Sequence, residues 1–253
     1  MLMQPTLDKL SDMRLTGLRR AVEEQLANPQ YADLSFEERF SLLIDQEWTR
    51  RQDSRLQRRL KQARFRQSAT IEEVDFAAGR NLKRRRILQL ATGEWIVQHL
   101  NVIVTGATGT GKTFLACALG RAACQAGFSV RYERLGHLLH RVTAAHADES
   151  WSRLLSSLGR VDLLVLDDWL RDPVKPSQAR DLVEVIDDRY NRRSTLIATQ
   201  TPVDEWHPRL GDPDLADAIL DRLAHNAYRI HLAGDSQRKT RSPLSNTSSS
   251  DTR

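Results

Sequence analysis

The chain has 253 residues, 40% of them apolar and 28% charged, with 12 glycines and 8 prolines. That balance excludes collagen-like, low-complexity and disordered classes, and the length suits one sizeable domain and a smaller one at ~100–200 residues per domain. The net charge of +5 is too small to name a partner by itself, so its distribution along the chain decides what it implies.

No uninterrupted apolar stretch approaches the ~18 residues that cross a bilayer, and Met1–Leu10 lacks the apolar centre of a leader peptide. A cytoplasmic protein without a membrane partner is expected. Cys117 and Cys124 stand seven apart in one predicted helix, a placement unsuited to a disulfide and compatible with a reducing compartment.

From Pro5 to Leu26 apolar residues recur at helical spacing, and Asn28-Pro29 closes the pattern, so one helix is predicted there. Ser35 with Glu38 forms a capping box, after which Phe36, Phe40, Leu43, Ile44 and Trp48 make an apolar stripe on a second helix. Between Arg50 and Arg66 stand eight basic residues and one acid, Asp53, a net charge of +7. Thr70 with Glu73 gives another capping signal, and Lys83–Arg86 leads into a helical pattern over Ile87–Gln98.

The period then changes. Short β-branched or apolar runs occur at Asn101–Thr105, Val130–Arg134, Leu163–Leu166, Thr195–Thr199 and Tyr228–Leu232, with helical patterns between them. Strands alternating with helices predict an α/β fold with a parallel five-stranded sheet. The expected organisation is a helical basic domain over residues 1–68, an α/β domain over 69–234 with lead-in helices at 69–100, and a polar tail at 235–253.

Gly106-Ala107-Thr108-Gly109-Thr110-Gly111-Lys112-Thr113 satisfies G-x-x-x-x-G-K-[ST], directly after a predicted strand and before a predicted helix. Backbone N–H groups and the helix start cradle phosphate there, Lys112 reaches the β- and γ-phosphates, and Thr113 places its hydroxyl on Mg²⁺. Leu163–Leu166 ends in Asp167 and Asp168, where a parallel strand opens onto a ligand crevice. Asp167 suits a Mg²⁺ role, and Asp168 suits orientation of the attacking water. Gln200, just after Thr195–Thr199, offers a neutral amide that can hold water or sense the terminal phosphate, or simply cap the strand. Arg222, at the end of a helix predicted over Leu215–Leu223, is a candidate finger onto a neighbouring subunit's nucleotide, or else the partner of a local acid such as Asp217 or Asp221.

Together GATGTGKT, LLVLDD, IATQTPVDEWH and DAILDRLAHNAYRIHL resemble the IstB family of insertion-sequence helper ATPases, related to DnaC-like helicase loaders within the AAA+ class. GLRRAVEEQLANPQYADLSFEERFSLLIDQEW and VDFAAGRNLKRRRILQLATGEWI resemble that family's N-terminal region, extending the likeness over roughly residues 5–240. The resemblance implies an AAA+ P-loop ATPase without a C-terminal lid. Lys112 and Thr113 would bind ATP and Mg²⁺, Asp167 and Asp168 form the acidic pair, Gln200 is the sensor, and Arg222 the finger. It further implies an ATP-dependent homo-oligomer that deforms duplex DNA and serves a partner transposase, with a helicase loader as the nearest alternative. Asp168 departs from the glutamate usual in the wider class; the shorter side chain suggests slow hydrolysis or, at the extreme, an ATP-binding scaffold. Only 21 residues follow Leu232, too few for a lid.

For DNA, the run Arg51, Arg55, Arg58, Arg59, Lys61 and Arg66 offers a phosphate footprint on one predicted helix, with Lys83–Arg86, Arg189, Arg192 and Arg193 as additions. A solvated face or an acidic protein partner is the plainer alternative. No zinc-ligand spacing is present, so contacts to backbone and shape are expected over base reading. The tryptophans read as packing anchors, with Trp169 the one candidate for stacking on a base.

Overall fold

The computed structural model describes residues 3–76 and 81–234. The chain divides into two compact units, Met1–Arg58 and Arg59–Arg253, earlier than the expected boundary after residue 68. The tail expected at 235–253 lies outside the described residues.

The first unit opens with α1 (Gln4–Asp12) and α2 (Thr16–Ala27), where one helix was expected. Arg14 adopts left-handed backbone (φ 57°) and the N–H of Leu15 donates to Leu10 O at 2.8 Å. This turn normally ends a helix with glycine; arginine in its place left no sequence signal. α3 runs unbroken from Phe36 to Ala63, its start closed by Ser35 and Glu38 as the capping box predicts. Its stripe is not covered: Phe36, Phe40, Ile44 and Trp48 are all exposed, and the two phenylalanine rings stack at 5.8 Å. Trp48 is therefore no packing anchor.

What ties α2 to α3 is Glu47. Leu15, at the start of α2, offers no capping side chain, and the Glu47 carboxylate accepts from the N–H groups of Gly17 (2.8 Å) and Leu18 (3.1 Å) instead. Arg50 and Arg51 bond the same carboxylate at 2.8 and 2.6 Å. These donors, Arg50 foremost, hold the buried acid down to about 2.

In the second unit Thr70 and Glu73 pair as their spacing suggests, Glu73 accepting from the Thr70 N–H at 2.9 Å, but they close a single turn and no helix follows over the described residues 74–76. α4 (Arg84–Ala91) and α5 (Glu94–Val97) replace the single expected helix, parted at Gly93. The α/β layers follow: β1 (Asn101–Gly106), α6 (Lys112–Gln125), β2 (Val130–Arg134), α7 (Leu135–Ala147), α8 (Trp151–Gly159), β3 (Leu163–Asp167), α9 (Pro176–Arg189), β4 (Ser194–Thr199), α10 (Trp206–Leu210), α11 (Pro213–Ala224) and β5 (Ala227–Leu232). All pairings are parallel, in the order β2-β3-β4-β1-β5.

β3 and β4 are buried throughout, as expected of central parallel strands. Trp169 and Trp206 are fully buried with ring centroids 5.6 Å apart, so Trp169 is core and unavailable to a base. Arg189 is also interior: its guanidinium donates to the carbonyls of Leu158, Val161 and Ser194, joining the end of α8 to the start of β4. Burial pulls it down to about 9, and its position removes it from the candidate DNA contacts. Cys117 and Cys124 are free and buried, their thiols pushed up to about 11 by burial. Among the described residues no helix is long and apolar enough to cross a membrane.

Candidate nucleotide-binding and hydrolysis site

The strand register decides what meets at the site. Thr105 is level with Thr199 and His231, and Asp167 with Ala198 and Arg134. The carboxyl ends of all five strands thus share one edge, the edge at which ligands meet open parallel sheets. The loop after β1, the acids ending β3 and the residue after β4 converge there although 94 residues separate Gly106 from Gln200.

Gly106 leaves β1 with φ 150°, and a Cβ there would stand 2.4 Å from the carbonyl oxygen of Leu232. Glycine is therefore required where the loop turns past β5. Gly109 and Gly111 also take positive φ, letting the loop curl before α6 begins at Lys112. The Thr110 hydroxyl donates to Ala107 O at 2.8 Å, and Lys112 Nζ donates to the same carbonyl at 2.7 Å. The start of the 14-residue α6 adds its partial positive charge to the loop amides, so the concavity suits an anion.

Asp167 is 1% exposed and its Oδ2 accepts from Thr113 Oγ1 at 2.8 Å and from Tyr132 OH at 2.6 Å. Burial, and next the bond to Asp167, raise the Tyr132 phenol far above its ordinary value, keeping it a neutral donor. Thr113 and Asp167 together present hard oxygen atoms beside Lys112, a donor set that fits Mg²⁺. Among the described residues no group of three or more His, Cys, Asp or Glu could hold an ion, so Mg²⁺ here would complete its shell with phosphate and water.

Asp168 has left-handed backbone (φ 55°) and accepts from Arg134, at the end of β2, at 3.0 Å from Nε and 2.9 Å from the terminal nitrogen. Gln200 Oε1 accepts from the Thr108 hydroxyl at 2.7 Å, joining β4 to the glycine-rich loop. The resulting cavity, about 350 Å³, is lined by loop residues, Asp168 and Gln200, and also by Arg66, Gln67, Glu73 and Asp75. That last segment, expected to lead into helices, forms a wall of the cavity. Arg66 is accordingly not on the basic helix, which stops at Ala63, and its guanidinium is 3.9 Å from Asp168. Tyr132, Arg134 and Arg66 carried no motif, and only the fold brings them to the acids.

Arg222 lies elsewhere. It pairs with Asp187, sits 6.0 Å over the Tyr190 ring, and its carbonyl accepts from the Asn101 side chain at 3.1 Å. Asn101 begins β1 and Gly106 ends it, so at ~3.3 Å per residue Arg222 stands a strand's length from its own loop. It does not line the cavity at its own phosphate loop. Of the other basic candidates, Arg51 is paired with Glu47, Arg59 donates to Cys124 O at 3.5 Å, and Arg55, Arg58 and Lys61 are exposed.

A glycine-rich anion cradle after β1, an acidic pair at the end of β3 and a polar residue just after β4, the strand between them, define a P-loop nucleoside-triphosphatase module. Residues 8–245 match the family described as IstB-like ATP binding protein, and the chain belongs to that family. Sinorhizobium fredii y4pL, named as an insertion sequence ATP-binding protein, is 45% identical over 239 residues, covering 94% of this chain and 98% of its own. The Pseudomonas aeruginosa protein named for ATP binding in insertion sequence IS21 is 31% identical over 229 residues, covering 90% and 86%. Among solved structures, the DnaC helicase loader aligns with a TM-score of 0.52 at 21% identity, covering 65% of this chain and 96% of that one. AMPPCP-bound DnaA from Aquifex aeolicus aligns at 0.56 and 20% identity, covering 70% and 54%. These structural likenesses agree with the parallel five-stranded fold, and the family match bears out the resemblance drawn from the motifs.

Proposed function

We propose that this chain binds ATP with Mg²⁺, assembles with further copies of itself on duplex DNA, and in that state helps a partner transposase use a target site. The observation that carries the ATPase part is the Thr113–Asp167 pair beside Lys112. The family, whose relatives are named for insertion sequences, supports the transposition part.

In this mechanism the loop amides and the start of α6 hold the phosphates, Lys112 bridges the β- and γ-phosphates, and Thr113 and Asp167 hold the ion. Mg²⁺ supplies neutralisation of the charge that develops on the phosphate oxygens. Gln200, already tied to Thr108, orients the terminal phosphate or the water. Asp168 aligns that water for attack on the γ-phosphorus, breaking the bond to ADP and releasing inorganic phosphate. Its carboxylate is engaged by Arg134 and must be shared or freed before it can act, which supports a slow cycle. Arg222 serves as a finger into a neighbouring copy's site, giving up Asp187 on assembly. The exposed Arg55, Arg58 and Lys61 meet DNA phosphates without reading bases. The protein then acts in the cytoplasm, on chromosomal or element DNA.

Fluorescence anisotropy on labelled duplex and single-stranded DNA, with and without ATP across a salt series, tests this. Duplex binding that needs ATP, falls steeply with salt and is lost in Lys112→Ala is expected. Preference for single strands, or binding only after a replicative helicase is added, would replace it with a helicase-loader role. Undiminished phosphate release after Asp167→Ala or Arg222→Ala would overturn the roles given to those residues.

A further inference from the structure

Arg66 belongs by sequence to the basic run and by structure to the nucleotide cavity. α3 ends at the buried Ala63, and Arg64 turns the chain with φ 56°. Phe65 is then inserted against α6 at Gly120, where a Cβ would lie 2.6 Å from the ring. The same ring meets Tyr132 edge-on with centroids 6.5 Å apart, and Tyr132 in turn donates to Asp167. Only a residue without a side chain admits Phe65 at that depth, so the segment is seated on α6 and β2. Arg66 follows immediately and is thereby fixed at the cavity wall.

Arg134 and Arg66 both approach Asp168, while Arg171, which lines both cavities, is held by Asp172 at 2.8 Å. Arg134 bonds it closely and lines the neighbouring cleft, together with His137 and Val174. Arg66 is farther, at 3.9 Å, and lines the cavity that holds Lys112 and Thr113. Asp168 carries one negative charge and Arg134 already supplies its hydrogen bonds. A triphosphate in the cavity brings several negative charges and a terminal group whose oxygens match the guanidinium fork. The cation with more to gain from that arrival is Arg66.

We propose that Arg66 is a ligand for the terminal phosphate of the bound nucleotide, supplied by the same chain from the segment that joins the basic helix to the sheet. This rests on the ATP-binding function proposed above. Arg66 leaves the neighbourhood of Asp168 when a triphosphate enters, reducing the positive charge around the acid that aligns water. ADP, lacking the terminal group, leaves Arg66 where it stands. Because Arg66 is three residues beyond the end of α3, the same contact ties the last turn of the basic helix to the nucleotide state.

Equilibrium binding of a fluorescent non-hydrolysable ATP analogue and of the matching ADP analogue, in Mg²⁺, tests this without depending on turnover. Arg66→Ala is expected to raise the Kd for the triphosphate by roughly 10- to 100-fold, the worth of a charge-assisted hydrogen bond, and to leave the diphosphate within about twofold. Arg66→Lys should fall between. Phe65→Ala should show the same triphosphate-selective loss, because the arginine is no longer seated. Arg64→Gly, which removes an equal charge at a position glycine accepts, should change neither. Equal losses for both nucleotides in Arg66→Ala, or none, would overturn the proposal while wild type still binds and Lys112→Ala does not. Failure of the wild type to bind either analogue would remove the nucleotide function itself, and the proposal with it. Circular dichroism and thermal melts of each variant separate a lost ligand from a lost fold.

Discussion

Among the described residues before 59 the buried apolar side chains are Leu7, Leu10 and Ala21, while Phe36, Phe40, Ile44 and Trp48 lie exposed at a four-residue spacing along α3. Beyond it the order is reversed: β3 is buried along its length, Trp169 and Trp206 are enclosed, and the apolar faces of α7, α9 and α11 meet in one core. The ATPase region is held by removal of apolar surface from water, the dominant stabilising effect in folded domains. The helical region is organised around a carboxylate, Glu47, which caps α2 from a different helix. One region can therefore tolerate surface changes and not core ones; the other depends on a single polar group.

The strongest way to break that contrast is Trp206→Ala. Removing a fully buried indole that packs on Trp169 and donates to Thr201 O at 3.1 Å should cost ~3–5 kcal/mol of unfolding free energy in denaturant titration. A loss below about 1 kcal/mol would show that the two tryptophans are not the centre of the core. Next in size is Glu47→Gln, which keeps the shape and removes the charge that four groups share. Loss of charge-assisted bonds to a buried acceptor should cost ~1.5–3 kcal/mol, seen as reduced helicity at moderate denaturant. The sign with pH follows from the depressed value. Stability contributed by Glu47 is complete above its ordinary value of 4.5 and is lost as pH falls toward about 2. Wild type should lose helical signal over that window, and Glu47→Gln, already without it, should show a smaller change there.

The same contrast explains what could be read from the residues. β1, β3 and β4 were legible because buried parallel strands leave dense apolar runs, the edge strands β2 and β5 because apolar residues alternate with polar ones, and the phosphate loop because its glycines obey a backbone need that no other residue meets. Helix boundaries were legible where capping or breaking residues mark them, as at Asn28-Pro29 after α2 and Ser35 with Glu38 before α3, whereas the break at Gly93 was read through as one helix. Arg14 and Arg64 take left-handed backbone without being glycine, so the breaks they make were invisible. The error at Arg64 had a functional cost: with α3 drawn too long, Arg66 was placed on the DNA face and not in the nucleotide cavity. Glu47 was illegible for another reason. One of five acids on α3, it looks as solvated as the others until α2 is packed beside it. Trp169 was misjudged because its neighbour in sequence, Asp168, is at the surface, whereas a single residue further the chain has entered the core.

Smaller effects test the basic and apolar surfaces. If Arg55 and Arg58 meet phosphates, each alanine substitution should weaken duplex binding without changing base preference and reduce the slope of log K against log salt by about one. Arg51→Ala should do less, because its charge is already engaged by Glu47 at 2.6 Å. An equal effect from all three would mean that Glu47 releases Arg51 on DNA.

The least change is expected from Trp48→Ala. The side chain is 62% exposed, and substitutions at open surface positions stay within about 0.5 kcal/mol. Periodicity identified Trp48 as part of an apolar stripe, and by the rule that such stripes face a core its loss should cost several kcal/mol. Unfolding of the dilute chain therefore separates the pattern from its usual consequence. A change within about 0.5 kcal/mol, independent of protein concentration, would confirm that the stripe contributes nothing to the single chain's stability. A loss of 2 kcal/mol or more at all concentrations would mean that the stripe is covered within the chain, and the contrast between the two regions would fall. Since Phe40 and Trp48 stand eight residues apart on one face, roughly 12 Å along the helix, the double variant Phe40→Ala with Trp48→Ala should equal the sum of its parts, the additivity expected of distant sites that share no partner.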